Sequence, residues 1–289
     1  MSNMFDGKAI RDEILKDLAD KVVEMEEKPV MAVLLIGNDP ICAKYVELKQ
    51  KLAEKIGVQF NLYKFDEQNT EDEIFECIKF LNSDPETRGI MMQIPILEKF
   101  DRDKLIAAIS KEKDIDGLRF CVGLESNFRP PVVLAVLEAI MRSGKKIDDK
   151  TKVVMLGRGF LVGAPLLKTF KENGIDPVVI GSEGNKAEDV KIPAGVHPAP
   201  RCGTLMTEKA EDDIKKADIV ISAVGKAGMI KERMVKEGVI LIDAGTAEQN
   251  GALVGDIDPE AYKKSLYYTP VPGGIGPVTV SMLFRNLLK

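Results

Sequence analysis

The sequence contains little from which a metal site could be built. His197 is the one histidine in 289 residues, and the four cysteines, at positions 42, 77, 121 and 202, never form a Cys-x-x-Cys pair. Structural zinc sites need several such ligands at short spacing, so we expect no metal cofactor. Widely spaced cysteines are typical of a reducing compartment, which predicts a cytoplasmic protein.

The chain also lacks a basic cluster and a long apolar run. It has 41 Lys and Arg residues against 46 Asp and Glu residues, a net charge of −5, and no stretch typical of nucleic-acid binding. No apolar run approaches the ~18 residues that span a bilayer. The N-terminal residues lack the apolar core of a signal peptide. We therefore expect a soluble protein that binds neither nucleic acid nor membranes.

Short β-rich runs alternate with amphipathic helical runs along most of the chain. In the first half, three predicted strands at 30–37, 58–65 and 88–95 alternate with predicted helices near 8–27, 40–56, 71–82 and 101–111. In the second half, the predicted strands are apolar throughout and lie at 152–159, 176–182, 218–225, 239–245 and 266–272. This alternation is typical of parallel sheets covered on both faces.

The length of the chain favours two domains, because single cores become uncommon beyond ~250–300 residues. A predicted helix at 131–143 separates the two strand series, and a second apolar helix ends the chain. The sequence predicts an α/β fold of two domains joined by these two helices, with a ligand cleft between them. The first domain covers 1–130, with the C-terminal helix 277–289 packed back on it. The second covers 131–276 and has a Rossmann-type parallel sheet.

Lys49 shares a face with apolar residues in the helix predicted over 40–56. At about 100° per residue it lies about 40° from Tyr45, on the side of Ile56, while Leu52 lies about 20° from Tyr45 on the other side. A lysine at the margin of an apolar face can extend its ammonium group to water. Alternatively, a partly dry cleft lowers its pKa, and the group then exchanges protons with a substrate. The helix alone leaves both interpretations open.

A glycine-rich segment, GRGFLVGAP, follows the first strand of the second series. Gly157, Gly159 and Gly163 stand between a buried strand and a helix, the context in which glycines admit a pyrophosphate to a helix N-terminus. Arg158 could meet a 2′-phosphate and so favours NADP, whereas Glu183 could bind a ribose 2′-hydroxyl and so favours NAD. The sequence predicts a dinucleotide site and leaves the choice of cofactor open.

Three further segments carry candidate site residues. Gln93 ends a predicted strand, at the edge where ligands bind in open α/β sheets. In KEKDIDG, Asp114 or Asp116 could bind the N–H groups of a heterocycle, although an ordinary Asp-Gly turn would look the same. The loop TPVPGGIGPVT at 269–279 is rigid enough to lie against a flat ligand, and Thr279 is predicted to open the final helix.

Taken together, these segments resemble the methylenetetrahydrofolate dehydrogenase/cyclohydrolase family, the FolD-type enzymes. The matching pieces occur in the family's order: GNDPICAKYVELK, GIMMQIPI, KDIDG, GRGFLVGAP, ADIVISAVGKAGMI, GVILIDAG, GDID and TPVPGGIGPVT. They cover nearly the whole chain. The resemblance implies a folate cleft between the domains, an NADP-binding Rossmann domain and a homodimer.

The resemblance also implies two reactions and a set of site residues. Methylenetetrahydrofolate is oxidised to methenyltetrahydrofolate with NADP, which is then hydrolysed to formyltetrahydrofolate in one-carbon metabolism. Tyr45 would stack against the folate, and Lys49 would assist hydrolysis. Gln93 would support Lys49, and Asp116 would anchor the pterin. The remaining implied contacts are Pro272, Gly273 and Gly274 for the folate, and Gly157, Arg158, Gly159, Gly163, Gly225, Thr246 and Thr279 for the cofactor.

The chain departs from the family's usual pattern at several positions. The family usually has serine where Cys42 and Gly159 stand and threonine where Val132 stands, and the region 183–203 is expanded here. Three functions therefore stay open from the sequence. The first is a bifunctional NADP enzyme, the second an NAD-dependent or monofunctional folate dehydrogenase, and the third a catalytically silent folate- or nucleotide-binding homologue.

Overall fold

The computed structural model describes residues 3–181 and 206–289 of the chain. They form two compact units, each named here after its main sheet. The three-stranded unit comprises residues 11–131 and 280–289, and the six-stranded unit comprises residues 1–10 and 132–279. The chain therefore passes from one unit to the other after residues 10, 131 and 279.

Helices and strands alternate through both units, as the sequence predicts. In chain order the elements are β1 (Asn3–Met4), α1 (Gly7–Val23), β2 (Val30–Ile36), α2 (Pro40–Lys55), β3 (Gln59–Phe65), α3 (Glu71–Ser83), β4 (Thr87–Gln93), α4 (Arg102–Ala108), α5 (Leu118–Cys121), α6 (Pro131–Arg142), β5 (Val153–Leu156), α7 (Gly163–Glu172), β6 (Val178–Ile180), α8 (Glu208–Lys216), β7 (Ile219–Ser222), β8 (Val239–Asp243), β9 (Ala247–Gln249), β10 (Ala252–Val254), β11 (Ser265–Tyr268) and α9 (Ile275–Leu287). Short 3-10 helices lie at Glu232–Met234 and Pro259–Lys264. No helix within the described ranges is both long and apolar enough to cross a membrane.

The sheet of the three-stranded unit has the order β3-β2-β4, with all strands parallel. Every residue of the central strand β2 is buried, because it has a neighbouring strand on each side. Helices α2, α3 and α4 begin at N-cap residues whose side chains accept backbone N–H groups. Thr70 and Glu73 form a capping box at the start of α3, an arrangement that contributes about 1 kcal/mol to helix stability. Local sequence signals thus fix where these helices start.

The sheet of the six-stranded unit has the order β1-β11-β8-β7-β5-β6 and is a Rossmann-like parallel sheet. The central strands β5, β7 and β8 are buried throughout, as predicted. The prediction of uniform burial is wrong for two other strands, where Val178 and Leu266 are exposed. β6 lies at the edge of the sheet, and the outer neighbour of β11 is the two-residue strand β1. Both strands therefore lie nearer the edge of the sheet than the buried central strands.

Both ends of the chain differ from the sequence-based boundaries. Residues 1–10 group with the six-stranded unit, because β1 pairs with β11 and the Phe5 N–H donates to the Tyr268 carbonyl at 2.8 Å. The final helix starts at Ile275, so Thr279 lies inside α9 and does not open it. The Thr279 hydroxyl donates to the Ile275 carbonyl at 3.0 Å, which is the usual bond of a threonine within a helix.

Candidate active site

Helix α2 presents a lysine on its buried face. Asp39 caps the helix by accepting the N–H groups of Ile41 and Cys42. The residues packed on the sheet are Cys42, Val46 and Ala53, and Lys49 lies on the same face, partly buried. The face that Tyr45, Leu52 and Ile56 were predicted to share is therefore only in part a packing face, because Ile56 is buried and Tyr45 is not. Tyr45 is 52% exposed. The prediction failed here because a sequence shows which residues are apolar but not which of them the fold covers.

The amine of Lys49 is held by the side chain of Gln93. Lys49 Nζ donates to Gln93 Oε1 at 2.9 Å, and Gln93 Nε2 donates to the Ile94 carbonyl at 2.8 Å. Gln93 is buried at the carboxyl end of β4, so its amide has one fixed orientation. The Cys42 thiol lies beside this pair, 3.8 Å from the Ile94 carbonyl oxygen. A polar cluster thus forms where the strand meets the helix.

Burial and charge set the protonation of this cluster. Burial lowers the pKa of Lys49 below its ordinary value of 10.5, while the charge of Asp116 raises it in part. Burial also raises the pKa of Asp116, and the charge of Lys49 opposes that change. Each group therefore keeps the other closer to its charged form. Such mutually perturbed groups are common at catalytic sites.

The turn that carries Asp116 is stabilised by its neighbour Asp114. The buried Asp114 carboxylate accepts the N–H groups of Leu118 at 3.1 Å and Arg119 at 2.8 Å. Burial is the main cause that raises the pKa of Asp114 to about 7, and the charge of Asp116 adds to it. The two aspartates of KDIDG thus differ in role. Asp114 accepts backbone N–H groups, whereas the charge of Asp116 acts on the pKa of Lys49.

The glycine-rich loop after β5 requires glycine at two of its three positions. A Cβ on Gly163 would lie 2.3 Å from the Gly157 carbonyl oxygen, and one on Gly157 would lie 2.4 Å from that of Ala223. Gly157 also has a φ of +97°. In contrast, a Cβ on Gly159 would meet nothing within 4 Å among the described residues. Close backbone packing therefore explains Gly157 and Gly163, and leaves open space beside Gly159.

Arg158 extends from this loop toward the end of β6. A Cβ on Gly181 would lie 3.2 Å from Arg158 Nε, so the absence of a side chain there makes room for the guanidinium group. Arg158 Nε is buried and has no hydrogen-bond partner within residues 3–181 and 206–289. A buried donor of this kind is suited to an anionic ligand. Glu183, the other candidate for cofactor choice, and the segment 183–203 lie outside the described residues.

Two buried aspartates organise the loops after β7 and β8, and sequence reasoning missed them. Asp256 accepts the Ser222 hydroxyl at 2.7 Å and the Lys226 N–H at 2.7 Å, and so fixes the loop that contains Gly225. Asp243 accepts the Gly245 N–H at 3.0 Å, directly before Thr246. The available signal was an aspartate at the end of a buried strand, in GVILIDAG, and another in GDID.

The loop at 269–279 packs its backbone tightly. The Gly7 N–H donates to the Gly273 carbonyl at 2.9 Å, and a Cβ on Gly7 would collide with the Gly274 carbonyl oxygen. Gly273 has a φ of +105°, which favours glycine. The peptide bond before Pro272 is cis. Backbone contacts therefore hold this loop closely against the segment at Gly7.

The structure thus gathers the predicted site residues in two groups. Lys49, Gln93 and Asp116 interact within the three-stranded unit, and Tyr45 lies one helical turn before Lys49. The other predicted contacts belong to the six-stranded unit, and they are Gly157, Arg158, Gly159, Gly163, Gly225, Thr246, Pro272, Gly273, Gly274 and Thr279. Their individual roles stay predictions.

Comparison with known proteins connects both groups to one family. The family model "Tetrahydrofolate dehydrogenase/cyclohydrolase, catalytic domain" matches residues 5–116, and the model for the family's NAD(P)-binding domain matches residues 201–289. The chain is 34% identical over 300 residues to the bifunctional protein FolD of Halothermothrix orenii, with 100% of this chain and 98% of that protein covered.

Solved structures agree with the sequence match. The bifunctional FolD enzyme of Campylobacter jejuni superposes with a TM-score of 0.84 at 30% identity, over 100% of this chain and 98% of that one. The FolD enzyme of Trypanosoma brucei, solved with NADP and an inhibitor, has a TM-score of 0.84 at 28% identity, over 99% of this chain and 96% of that one. The chain belongs to the tetrahydrofolate dehydrogenase/cyclohydrolase family.

Proposed function

We propose that this protein oxidises methylenetetrahydrofolate to methenyltetrahydrofolate with NADP and hydrolyses the product to formyltetrahydrofolate, within one-carbon metabolism. Family membership over the whole chain supports both activities. The proposed hydrolytic activity is supported mainly by the hydrogen bond between Lys49 and Gln93, together with the charge of Asp116, which acts on Lys49. A proton-exchanging amine is held there by a fixed amide.

The residues after β5 fit a dinucleotide cofactor. Gly157 and Gly163 allow the close backbone approach of a phosphate-binding turn, and the N-cap of α7 is Val162, which has no polar side chain to cap the helix. When bound, the cofactor supplies a nicotinamide ring that accepts a hydride from the folate methylene carbon. The residues around it have to bind and orient two flat rings, because hydride transfer depends on their mutual position.

NADP is favoured over NAD by the environment of Arg158. A guanidinium group binds phosphate through charge-assisted hydrogen bonds, and Nε of Arg158 is buried with no partner among the described residues. A 2′-phosphate would satisfy this donor. The ribose hydroxyl of NAD would offer it no negative charge, so the cost of the buried donor would be only partly offset.

Five residues are assigned to folate binding, as the family resemblance implies, and each is considered within its own unit. In the three-stranded unit, exposed Tyr45 offers a ring for stacking, and Asp116 offers a carboxylate to the N–H groups of the pterin. In the six-stranded unit, Pro272, Gly273 and Gly274 offer the backbone of a closely packed loop. These side chains match the folate's own chemistry, which combines a flat heterocycle with several hydrogen-bond donors.

In the hydrolytic step, Lys49 moves a proton. Water adds to the methenyl carbon, and the neutral amine of Lys49 accepts the proton that the water loses. One carbon–nitrogen bond then breaks. The added hydroxyl loses its proton and becomes the formyl carbonyl, and the nitrogen released from the carbon gains a proton. Overall, one water is consumed and one proton is released. Gln93 orients the amine, because Oε1 accepts one of its hydrogens and leaves the lone pair free.

We also propose a cytoplasmic homodimer. The family resemblance supports the dimer, and Cys42, Cys77 and Cys121 form no disulfide within the described ranges, which suits a reducing compartment. Sedimentation equilibrium of the purified protein tests the dimer. We expect twice the chain mass of 31.8 kDa, and a single chain mass over the whole concentration range would contradict it.

A coupled assay tests the proposed function. Purified protein is mixed with methylenetetrahydrofolate and either NADP or NAD, and both reduced nicotinamide and the methenyl product are followed by absorbance. We expect reduced nicotinamide without lasting methenyl product, and a faster reaction with NADP. Accumulating methenyl product would indicate a monofunctional dehydrogenase. No turnover in protein that still binds folate would indicate a silent homologue.

A further inference from the structure

Asn286 makes two hydrogen bonds that link the last helix to the turn of Asp116. It is a buried residue of α9, in the part that belongs to the three-stranded unit. Its Nδ2 donates to the Ile115 carbonyl at 2.8 Å and to the Arg129 carbonyl at 2.9 Å. An amide nitrogen carries two hydrogens, so both are used. Neither Ile115 nor Arg129 is near Asn286 in the sequence.

The first bond fixes the peptide group that leads into Asp116. Ile115 immediately precedes Asp116, and the bonded carbonyl belongs to the planar unit between their Cα atoms. Two neighbouring bonds of the turn are local, from the Ile115 N–H to the Lys113 carbonyl and from the Gly117 N–H to the Asp114 carbonyl, and the Ile90 N–H of β4 donates to the Lys113 carbonyl at 2.6 Å. The bond from Asn286 ties this turn to another element of the unit.

The second bond fixes the backbone that packs against the other side of Asp116. A Cβ on Gly117 would lie 2.6 Å from Pro130 N and 2.7 Å from the Arg129 carbonyl carbon. The segment at Arg129 and Pro130 therefore presses directly on the residue that follows Asp116. One amide group thus restrains the peptide group before Asp116 and the backbone segment that packs against the residue after it.

We propose that Asn286 is a positioning residue for Asp116, which keeps the carboxylate where it binds the folate and where its charge acts on Lys49. The inference rests on the proposed function, which gives Asp116 its role in folate binding. Asn286 touches neither reacting atoms nor Lys49 in this account. It acts through the turn, and its loss moves the carboxylate without removing it.

The sign of the expected effect follows from the charges around Lys49. The groups that influence its amine are Asp116 and the Cys42 thiol, and both raise its pKa against the effect of burial. When Asp116 moves away, Lys49 loses part of this support, and its pKa falls further. The rate of hydrolysis should rise over the pH range in which Lys49 loses its proton, and this rise is called the Lys49 limb of the pH profile. A variant of Asn286 should therefore shift the Lys49 limb toward lower pH. Asp116→Asn should shift it in the same direction.

The test compares Asn286→Ala with a control that removes a different bond of the same helix. Arg88 Nε donates to the Leu287 carbonyl at 2.7 Å, so Arg88→Met also removes a bond between α9 and the rest of the three-stranded unit, while both bonds of Asn286 to the backbone around Asp116 stay in place. The pH profile of methenyltetrahydrofolate hydrolysis and the Kd values for folate and NADP are measured for both. We expect Asn286→Ala to weaken folate binding about tenfold, leave NADP binding unchanged and shift the limb. Arg88→Met should change none of these.

A second variant excludes a simple packing effect. Asn286→Asp keeps the volume of the side chain but places an oxygen against two carbonyl oxygens, so we expect a defect at least as large as that of alanine. Thermal unfolding shows whether each variant is folded at the assay temperature. The proposal is overturned if folded Asn286→Ala and Asn286→Asp match Arg88→Met in pH profile and folate affinity while Asp116→Asn changes both. If Asp116→Asn also changes neither, the proposed role of Asp116 fails instead.

Discussion

Lys49 Nζ lies 2.9 Å from Oε1 of Gln93, and this hydrogen bond joins the buried face of α2 to the carboxyl end of β4. The bond joins two residues that are 44 positions apart in the chain. A lysine buried without such a partner would carry the full cost of desolvation. Here the amide holds the amine in place while burial lowers its pKa, which is the combination that proton transfer to a substrate requires.

Replacing Asp116 should change both folate affinity and the pH profile of hydrolysis. Asp116→Asn removes a negative charge that raises the pKa of Lys49, so the limb assigned to Lys49 should move to lower pH. Loss of a charged hydrogen-bond acceptor should weaken folate binding about tenfold or more. Titration calorimetry and initial rates between pH 6 and pH 10 measure the two effects. Glu112→Gln, at an exposed position in the same segment, is the control, and an unchanged folate Kd in Asp116→Asn would refute the assignment.

Arg158→Ala should reduce the preference for NADP over NAD. We expect the ratio of kcat/KM values to fall about tenfold to a hundredfold, because a charge-assisted bond to a 2′-phosphate contributes about 1.5–3 kcal/mol. Lys171→Ala, at an exposed position of α7, removes a positive charge nearby in the chain and should leave the ratio as it is. An unshifted ratio in Arg158→Ala would assign the 2′-phosphate to another residue.

The alternation of strands and helices was predictable because it depends on local patterns. Apolar runs gave the central strands, and caps such as Asp39 mark helix starts in the sequence itself. The two-residue strand β1 was not predictable, since it is too short to show a periodic pattern. The start of α9 was also placed too late, because Pro277 and the glycines before it suggested a loop, while a proline within the first turn is compatible with a helix.

For the candidate site, the sequence predicted which residues take part better than it predicted which of them contact one another. Lys49, Gln93 and Asp116 could be named from local patterns and family resemblance, but their mutual contacts could not. The structural roles of Asp256 and Asn286 depend on partners that are more than 25 residues distant in the chain. No local sequence pattern predicts such contacts, because they depend on which distant segments of the chain the fold brings together.

Asp243 should make the six-stranded unit less stable as the pH rises. Burial, together with the charge of Asp256, raises the pKa of Asp243 to about 7, whereas an unfolded-state carboxyl titrates near 3.8. Between these values the folded state binds the extra proton, so the free energy of unfolding falls as the pH increases toward 7. Between pH 5 and pH 8 this single group should contribute a decrease of about 2–3 kcal/mol.

Urea unfolding of Asp243→Asn at the two pH values measures this contribution. The variant should show a smaller difference between pH 5 and pH 8 than the wild-type protein. Asp218→Asn is a matched control, because hydrogen bonds and the charge of Lys236 lower the pKa of Asp218, and that group stays ionised over this range. An equal pH dependence in Asp243→Asn and the wild-type protein would contradict the account of Asp243.

The two glycines of the loop after β5 should respond differently to alanine. Gly163→Ala places a Cβ against backbone atoms, so we expect a loss of about 1–3 kcal/mol in the free energy of unfolding and weaker NADP binding. The Cβ of Gly159→Ala meets no described residue within 4 Å, so this change should leave the free energy of unfolding unchanged or raise it by about 0.4–1 kcal/mol. Urea denaturation compares the two. Equal losses would mean that the loop is not packed as described.

The most direct test of the central claim is the rate of methenyltetrahydrofolate hydrolysis by Lys49→Met. The substrate is supplied directly, so the result does not depend on the dehydrogenase step. Lys44→Met, at an exposed position of the same helix, is the matched control. Loss of a positioned proton carrier should lower the rate about 10²- to 10⁴-fold, with the fold intact by circular dichroism and the control unchanged. A folded Lys49→Met protein that hydrolyses the substrate at the wild-type rate would contradict the claim that Lys49 carries this step.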